Sequence, residues 1–502
     1  MKKIIFSTLL LSSSLLANAQ YKMSTDIPES VITPDKIETS EGELNFFDGV
    51  PSKETVETAY NFMDKSRAYT AFMDGMKYAS IWSLYKGHYK MGNTTANSTL
   101  IFDGMMDSKS LFLTANTSTM YVTGFVDTKR DGVVVIEIPD GALGFVNDMS
   151  FNYICDLGMI GRDKGKGGKY AILPVGYEGE IPEGCFPVYS KSHINWVLLR
   201  MNGDQKTIDN VIAKYRSYPA SQPELRDDMN FIHATGKEMN TIHSNNIEFY
   251  NEINEMVQYE STSTFDAEIL GTFRSIGIEK GVEFNPDKRM VGILNEAVAL
   301  GNASARSIVW YPRREGVNLY EDDPNSSWRM GFADRDVFFN DQGAVKKEAR
   351  DMFHYPYTGI TPAMAMQIAG KGSDYGISYV AKDGVAYDGS KTYVLHIDAD
   401  VPTARFWAVT LYDTQTRSMI QTNQVHPSLD SNKKDLVYNE DGSIDIYFSP
   451  EPIEGKEGNW LQTIPGKSWF TIFRNYGPEQ EWIDGKWRLN EIEEISTLDI
   501  GK

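Results

Sequence analysis

The sequence predicts an α+β protein, mainly β with helical additions, on three observations. Short apolar and β-branched runs recur in both halves, Asp-Gly turn signals punctuate the C-terminal third, and stretches with helical spacing are few. Strands alternate their side chains between two faces, whereas a helix repeats its apolar positions every three or four residues, so the two textures separate along the chain.

Residues 53 to about 85 are mostly good helix formers, with Tyr60, Met63, Tyr69 and Phe72 at helical spacing, and predict an opening helix. From Leu111 to Ile138 the runs LFLT, TMYVTGFVD and GVVVIEI, the last closed by Pro139, read as strands. A further pair, YAILPV and NWVLLR, brackets the EGEIPEG loop, and DQKTIDNVIAKYRSYP reads as one short helix stopped by Pro219. Residues 222–263 are polar, with a weak helical pattern, and read as a connection between domains. Helices follow in TFDAEILGTFRSIG and in MVGILNEAVAL, the second with Asn285 as the expected cap and Pro286 at the first helical position. After TPAMAMQIAG the chain turns β-rich, with turns expected at Asp383-Gly384, Asp388-Gly389 and Asp441-Gly442. That spacing favours a sandwich or jelly roll over a parallel α/β sheet.

A chain of 502 residues suits two or three domains, at about 150 residues each. Its first twenty residues carry a lysine pair, an apolar stretch from Ile4 to Leu16, and small residues at Ala17 and Ala19. This is the pattern of a bacterial-type signal peptide cleaved after Ala19, which predicts a periplasmic or secreted protein. The apolar stretch falls short of the roughly 20 residues of a spanning helix, so no membrane span is expected after cleavage. A formal charge of −20 opposes binding to nucleic acid or anionic lipid. Cys155 and Cys185 are the two cysteines. Pairing them would contribute on the order of 3 kcal/mol, and two separate thiols are the alternative.

The stretch DLGMIGRDKGKGGKY, residues 156–170, holds five glycines and three lysines and invites a phosphate-loop reading. The spacing defeats it. Ile160 stands where the first P-loop glycine belongs, Gly167 follows Lys166 in place of Ser or Thr, and a strand follows where a dinucleotide fold needs a helix. The glycines then serve positive φ or close backbone packing, with the lysines solvated or reaching toward an anion. The seven histidines form no zinc-protease motif, no Gly-x-Ser-x-Gly elbow occurs, and DRDVFFNDQG lacks a calcium-loop ligand at Phe338. His396, Asp398 and Asp400 of HIDAD share a strand face, which a solvated surface explains as well as a metal does. Neither cofactor nor metal is implied.

The strings LTANTSTMY, DLGMIGRDKGKGGKY, ILPVGYEGEIPEG, GIEKGVEFNPD, FWAVTLYDTQTRSMIQTNQ, DGSIDIYFSP and EGNWLQTIPGKSWFTIFRNYGP occur in that order. Together they resemble the exported bacterial proteins that pair a DUF1254 domain with a DUF1214 domain. The resemblance implies two β-sandwich domains of jelly-roll type plus helical segments. With the signal peptide read at 1–19 and an N-terminal extension at 20–44, it places a DUF1254-like domain at 45–221. The connection at 222–263, a helical and linking region at 264–370 and a DUF1214-like domain at 371–502 complete the chain. It supplies no activity, since fold analogy cannot.

Alternation along TSTMYVTGFVD puts Thr119, Tyr121, Thr123 and Asp127 on one face, with Asn116 just before the strand, and along SWFTIFRNY it puts Arg474 with Phe470, Ile472 and Tyr476. The strand end LYDTQTR gathers Tyr412, Asp413, Thr416 and Arg417. Asn116, Thr119, Tyr121, Asp127, Tyr412, Asp413, Thr416, Arg417 and Arg474, with Lys166 and Tyr170 of the glycine stretch, are the candidate ligand-binding residues. Two functions stand open: a ligand-binding protein or hydrolase of a glycan or amide, working through Asp127 and Asp413 with Arg417 on an anionic group, or a non-catalytic assembly or carrier protein. Two sandwiches side by side and an aromatic-rich composition lead us to expect a homo-oligomer, with a trimer favoured.

Overall fold

The computed structural model describes residues 25–201, 205–313 and 316–496. The expected signal peptide, residues 1–19, lies outside the described residues. The chain divides into two compact units after Met63. In the first, β1 (Lys36–Thr39), β2 (Gly42–Phe47) and β3 (Val50–Pro51) pair as an antiparallel meander. Helix α1 (Lys53–Met91) opens there and runs beyond the segment expected from the sequence.

The second unit contains two β-sandwiches. The first is built from β4 (Ser98–Phe102), β5 (Met120–Asp127), β6 (Val134–Ile138), β7 (Leu143–Asp148) and β8 (Tyr153–Gly158). It continues with β9 (Gly168–Leu173), β10 (Cys185–Tyr189), β11 (Ile194–Met201), β12 (Arg216–Pro219) and β13 (Asn230–His233). Six strands form one sheet in the order β13-β4-β5-β11-β7-β8, and four form the other, β10-β9-β6-β12. Alternation sorts the side chains: Val122 and Val126 of β5 and Val197 and Leu199 of β11 enter the core shared with Val134, Ile136 and Ile172 of the four-stranded sheet. Their neighbours Phe125 and Trp196 face the opposite way, into a central cluster.

That cluster is completed by helices. Besides α1, it takes buried residues from α3 (Glu248–Tyr259), α4 (Ala267–Ser275), α5 (Lys288–Trp310) and α6 (Lys347–His354); α2 (Gln205–Lys214) belongs to the first sandwich's core. The expected helix in DQKTIDNVIAKYRSYP therefore ends at Lys214, and Arg216–Pro219 pairs with β6 as a strand. Asp287, rather than Asn285, caps α5, its carboxylate accepting the Met290 N–H. The expected connection 222–263 is structured as well. Its β13 pairs in parallel with β4, and α3 buries Phe249, Tyr250, Ile253, Met256 and Val257 along one stripe.

The second sandwich uses β14 (Trp328–Arg329), β15 (Ser373–Ser378), β16 (Thr392–Ile397), β17 (Thr403–Asp413) and β18 (Ser428–Asp430). Its remaining strands are β19 (Ile444–Ser449), β20 (Trp460–Gln462), β21 (Trp469–Pro478) and β22 (Ile492–Ile495). The sheets run β14-β15-β21-β17-β18 and β20-β19-β16-β22. Val409, Leu411, Trp469 and Phe473 pack against Leu395, Ile446 and Phe448 of the smaller sheet, while Tyr412, Phe470 and Ile472 face the central cluster. Each large sheet thus has one face in its own sandwich and the other in the shared centre.

The fold is mixed α+β, 28% helix and 29% strand. No described helix is long and apolar enough to cross a membrane. The possible disulfide is not made: Cys155 on β8 and Cys185 on β10 are free thiols, each on an outer strand of a different sheet. Burial, with Asp156 beside it, pushes the Cys155 thiol up to about 12.

Candidate functional site

The shared centre is not filled. A cavity of about 120 Å³ lies where the large sheets face one another, lined by Tyr121 and Thr123 of β5, Trp196, Leu198 and Arg200 of β11, and Tyr375, Ile377, Ile472 and Arg474 of β15 and β21. Register brings these together. Arg200 pairs with Tyr121 across the first sheet and Arg474 with Tyr375 across the second, so each arginine has a tyrosine abreast on the same face. Phe145, Phe332, Phe353 and Tyr357 supply apolar walls.

One wall is held by a backbone mimic. The Asn147 side chain donates to the Ile360 carbonyl at 2.7 Å and accepts the Ile360 N–H at 3.0 Å. This pins the lining segment Tyr357, Thr358 and Gly359 against β7. A second network lies behind Thr123. Its hydroxyl accepts the Trp196 indole N–H at 2.8 Å and stands 3.1 Å from His88 Nε2, while His88 Nδ1 donates to the Leu84 carbonyl at 2.8 Å. Burial lowers the His88 pKa to about 4, against the Leu84 hydrogen bond, so the ring is neutral and Nε2 accepts from Thr123.

The two arginines are the chemical core of the site. Arg474 is 4% exposed and donates to Thr410 Oγ1 at 3.0 Å and to the Thr114 carbonyl at 2.8 Å. Burial disfavours its charge, but the surrounding Tyr412, Tyr476 and Tyr375 hydroxyls outweigh that and raise its pKa. Arg200 makes a long contact, 3.4 Å to Ser373 Oγ, and hydrogen-bonds Tyr375, and burial against its charge is again outweighed by Tyr121, Tyr375 and Tyr476. Among the described residues no carboxylate is paired with either guanidinium, and each has N–H groups left over from five. The Tyr121 hydroxyl already accepts from Asn116 Nδ2 and from Thr119 Oγ1 at 2.7 Å, so its own proton is left to donate. The buried Tyr476 hydroxyl has no hydrogen-bond partner among the described residues.

Of the candidate ligand-binding residues read from the sequence, Asn116, Tyr121 and Arg474 line the cavity, and Thr119 stands behind Tyr121. The others lie elsewhere. Asp127 caps a helical turn, accepting the Lys129 and Arg130 N–H groups and the Tyr259 hydroxyl. Asp413 accepts from the Gln415 and Thr416 N–H groups and pairs with Lys467, and Thr416 bonds Ser418. Tyr412 donates to the Ala115 carbonyl at 2.6 Å. Arg417 is fully buried, 4.1 Å over the Tyr355 ring. Lys166 is exposed, and the Tyr170 hydroxyl donates to Asp163. His396, of the HIDAD trio, bonds Asp445 on the neighbouring strand. Arg200 and Tyr375 escaped the sequence reading, although alternation in NWVLLR puts Arg200 on the face of Trp196 and Leu198.

The glycine stretch is not a phosphate cradle. Its amides are spent internally: Gly158 N–H on Asp163 Oδ1, Met159 N–H on the Ala142 carbonyl, and Gly161 and Gly165 N–H on the Gly158 carbonyl. A phosphate loop needs those groups free.

Comparison with known proteins agrees with this architecture. Residues 96–219 match the profile of a protein of unknown function, DUF1254, and residues 372–480 that of another, DUF1214. These spans fall within the first and second sandwiches. Among solved structures, the VPA0106 protein from Vibrio parahaemolyticus is similar, with a TM-score of 0.50 and 17% identity over 86% of this chain and all of that one. An uncharacterised protein from Burkholderia cenocepacia aligns with a TM-score of 0.37 and 10% identity, over 88% of this chain and 97% of that one. No curated protein matches. With both domains present in the expected order, the chain belongs to the DUF1254/DUF1214 domain-containing family.

Proposed function

We propose that this is a binding protein for a small organic anion with an apolar body, held in the central cavity. The observation that carries the reading is the pair of guanidiniums, Arg200 and Arg474, facing an aromatic cavity without a carboxylate between them. Burying a cation is costly unless an anion or hydrogen-bond acceptors meet it. A bound carboxylate would meet both, with the Tyr121 hydroxyl as a further donor, while Trp196, Leu198 and Ile472 take the apolar part. The volume is close to that of the roughly 150 Å³ cavity known to hold a benzene ring. Among the described residues its lining contains no aspartate, glutamate, histidine, serine or cysteine; the polar groups that reach the ligand are guanidiniums and hydroxyls, which suit holding an anion. With the leader read in residues 1–19, binding takes place outside the cytoplasm, in the periplasm or the medium.

Calorimetric titration of the full chain with butyrate and with benzoate tests this. Saturable binding of at least one is expected, weakened about 10- to 100-fold by Arg474→Gln, the loss that removing a charged hydrogen-bond donor brings. No binding of either by the unaltered protein would overturn the reading.

A further inference from the structure

A second, larger space adjoins the cavity, and its walls describe the ligand further. It measures about 470 Å³ and shares Phe145, Leu198, Arg200, Met364 and Tyr375 with the inner cavity, so Arg200 stands at the junction. The composition of this vestibule is unlike that of the chain. The protein has 69 acidic residues against 49 basic ones, yet among the described residues the vestibule is lined by Lys164, Arg200, Lys371 and Arg405 and by no aspartate or glutamate. Lys164, Lys371 and Arg405 are exposed, and none is in an ion pair among the described residues. Between these cations lies an apolar lip: Met159 is 46% exposed, Ile160 47%, Met366 56% and Ile368 46%.

Two segments build that lip, and both are held in place. Met159, Ile160 and Lys164 belong to the glycine stretch, folded around the Asp163 carboxylate. Met364, Met366 and Ile368 follow Thr361, whose hydroxyl donates to Asp156 Oδ1 at 2.6 Å and so ties the second segment to the strand that leads into the first. Four large apolar side chains displayed on ordered backbone, ringed by cations, form a surface for an amphipathic anion.

We infer that the ligand is a straight-chain carboxylate: its head lies between Arg200 and Arg474, and its chain runs outward over Leu198 and Met364 to the lip of Met159, Ile160, Met366 and Ile368. Methionine suits this task, since an unbranched thioether adapts to chains of different length. The rim cations raise the local concentration of the anion against the field of an acidic protein. The inference rests on the anion reading of the inner cavity and adds the class of ligand and its route.

The test is a calorimetric series with butyrate, hexanoate, octanoate and decanoate on the full chain. Affinity is expected to rise about fourfold for each methylene added, the gain for burying one, until the chain passes the lip. The double variant Ile160→Asn with Met366→Asn changes exposed residues outside the inner cavity; it should leave butyrate affinity unchanged and flatten the rise beyond it. Lys164→Glu with Lys371→Glu should weaken every member severalfold at low salt and little at high salt. If butyrate binds and affinity does not grow with chain length, or the double lip variant leaves the rise intact, the chain route is overturned while the anion site stands. If no carboxylate binds, the anion site falls and this inference with it.

Discussion

Thr123 shows how one side chain serves both the wall of the cavity and the structure behind it. Its hydroxyl accepts from Trp196 and donates to His88, and among the described residues it is the hydrogen-bond partner of both of those atoms. Thr123→Val keeps the shape and removes the hydroxyl, leaving a buried N–H and a buried imidazole nitrogen unpaired. Each orphaned group costs about 1–3 kcal/mol, so urea unfolding is expected to show a loss of about 3 kcal/mol. A loss under about 1 kcal/mol would mean that water takes over both bonds. Strand alternation in the sequence puts Thr119, Tyr121 and Thr123 on one face, and that is where they stand. Asp127 shares the parity but sits where the strand gives way to a helical turn, and its carboxylate turns back to cap it.

The glycine stretch is legible as a special loop and illegible as to why. Gly158 has φ +80°, and a Cβ there would lie 1.8 Å from the Ala142 carbonyl oxygen, on backbone that cannot yield. Gly158→Ala is therefore expected to lower stability by on the order of 3 kcal/mol, whereas Gly176→Ala, in the turn closed by the Tyr177 N–H on the Pro174 carbonyl, at φ +72° with nothing within 4 Å, pays only the left-handed strain of about 1–2 kcal/mol. Thermal unfolding of the two variants side by side decides it, and equal losses would show that φ alone sets the cost. Segment 222–263 teaches the opposite lesson. Its strand Asn230–His233 pairs with Ser98–Ile101, a partner about 130 residues away, and its helix keeps one apolar stripe amid polar residues. Local polarity described the exposed side of these elements, and the pairing was not local.

Across the whole molecule, buried titratable groups of opposite kinds oppose one another. Burial pushes Glu252 up to about 7, with Glu255 adding repulsion and the Ser244 hydrogen bonds opposing; Glu260 and Asp351 are likewise held near 7. Such carboxyls bind a proton more tightly folded than unfolded, so their contribution is present below about pH 4.5 and is lost as pH rises to about 7. The buried His88 and His243, lowered by burial to about 4 and about 3, act the other way, adding stability as pH rises toward 6.5. Glu252→Gln removes one descending contribution. Relative to the unaltered protein, the variant is expected to gain up to about 3 kcal/mol between pH 4.5 and 7.5, read by urea unfolding at both pH values. A parallel pH dependence in the two proteins would show that Glu252 titrates like an exposed carboxyl.

The sequence alone determined the α+β class, the two strand-rich regions, the family, and the faces on which Tyr121 and Arg474 lie, because these follow from alternation and from strings of adjacent residues. It left undecided which polar residues would meet. Arg200 and Arg474 are 274 positions apart, and only the opposition of two sheets from different sandwiches brings them to one cavity. Asp413 and Arg417, neighbours in the chain, are drawn into separate partnerships with Lys467 and the Tyr355 ring, since a buried charge goes to whatever group the packing sets beside it.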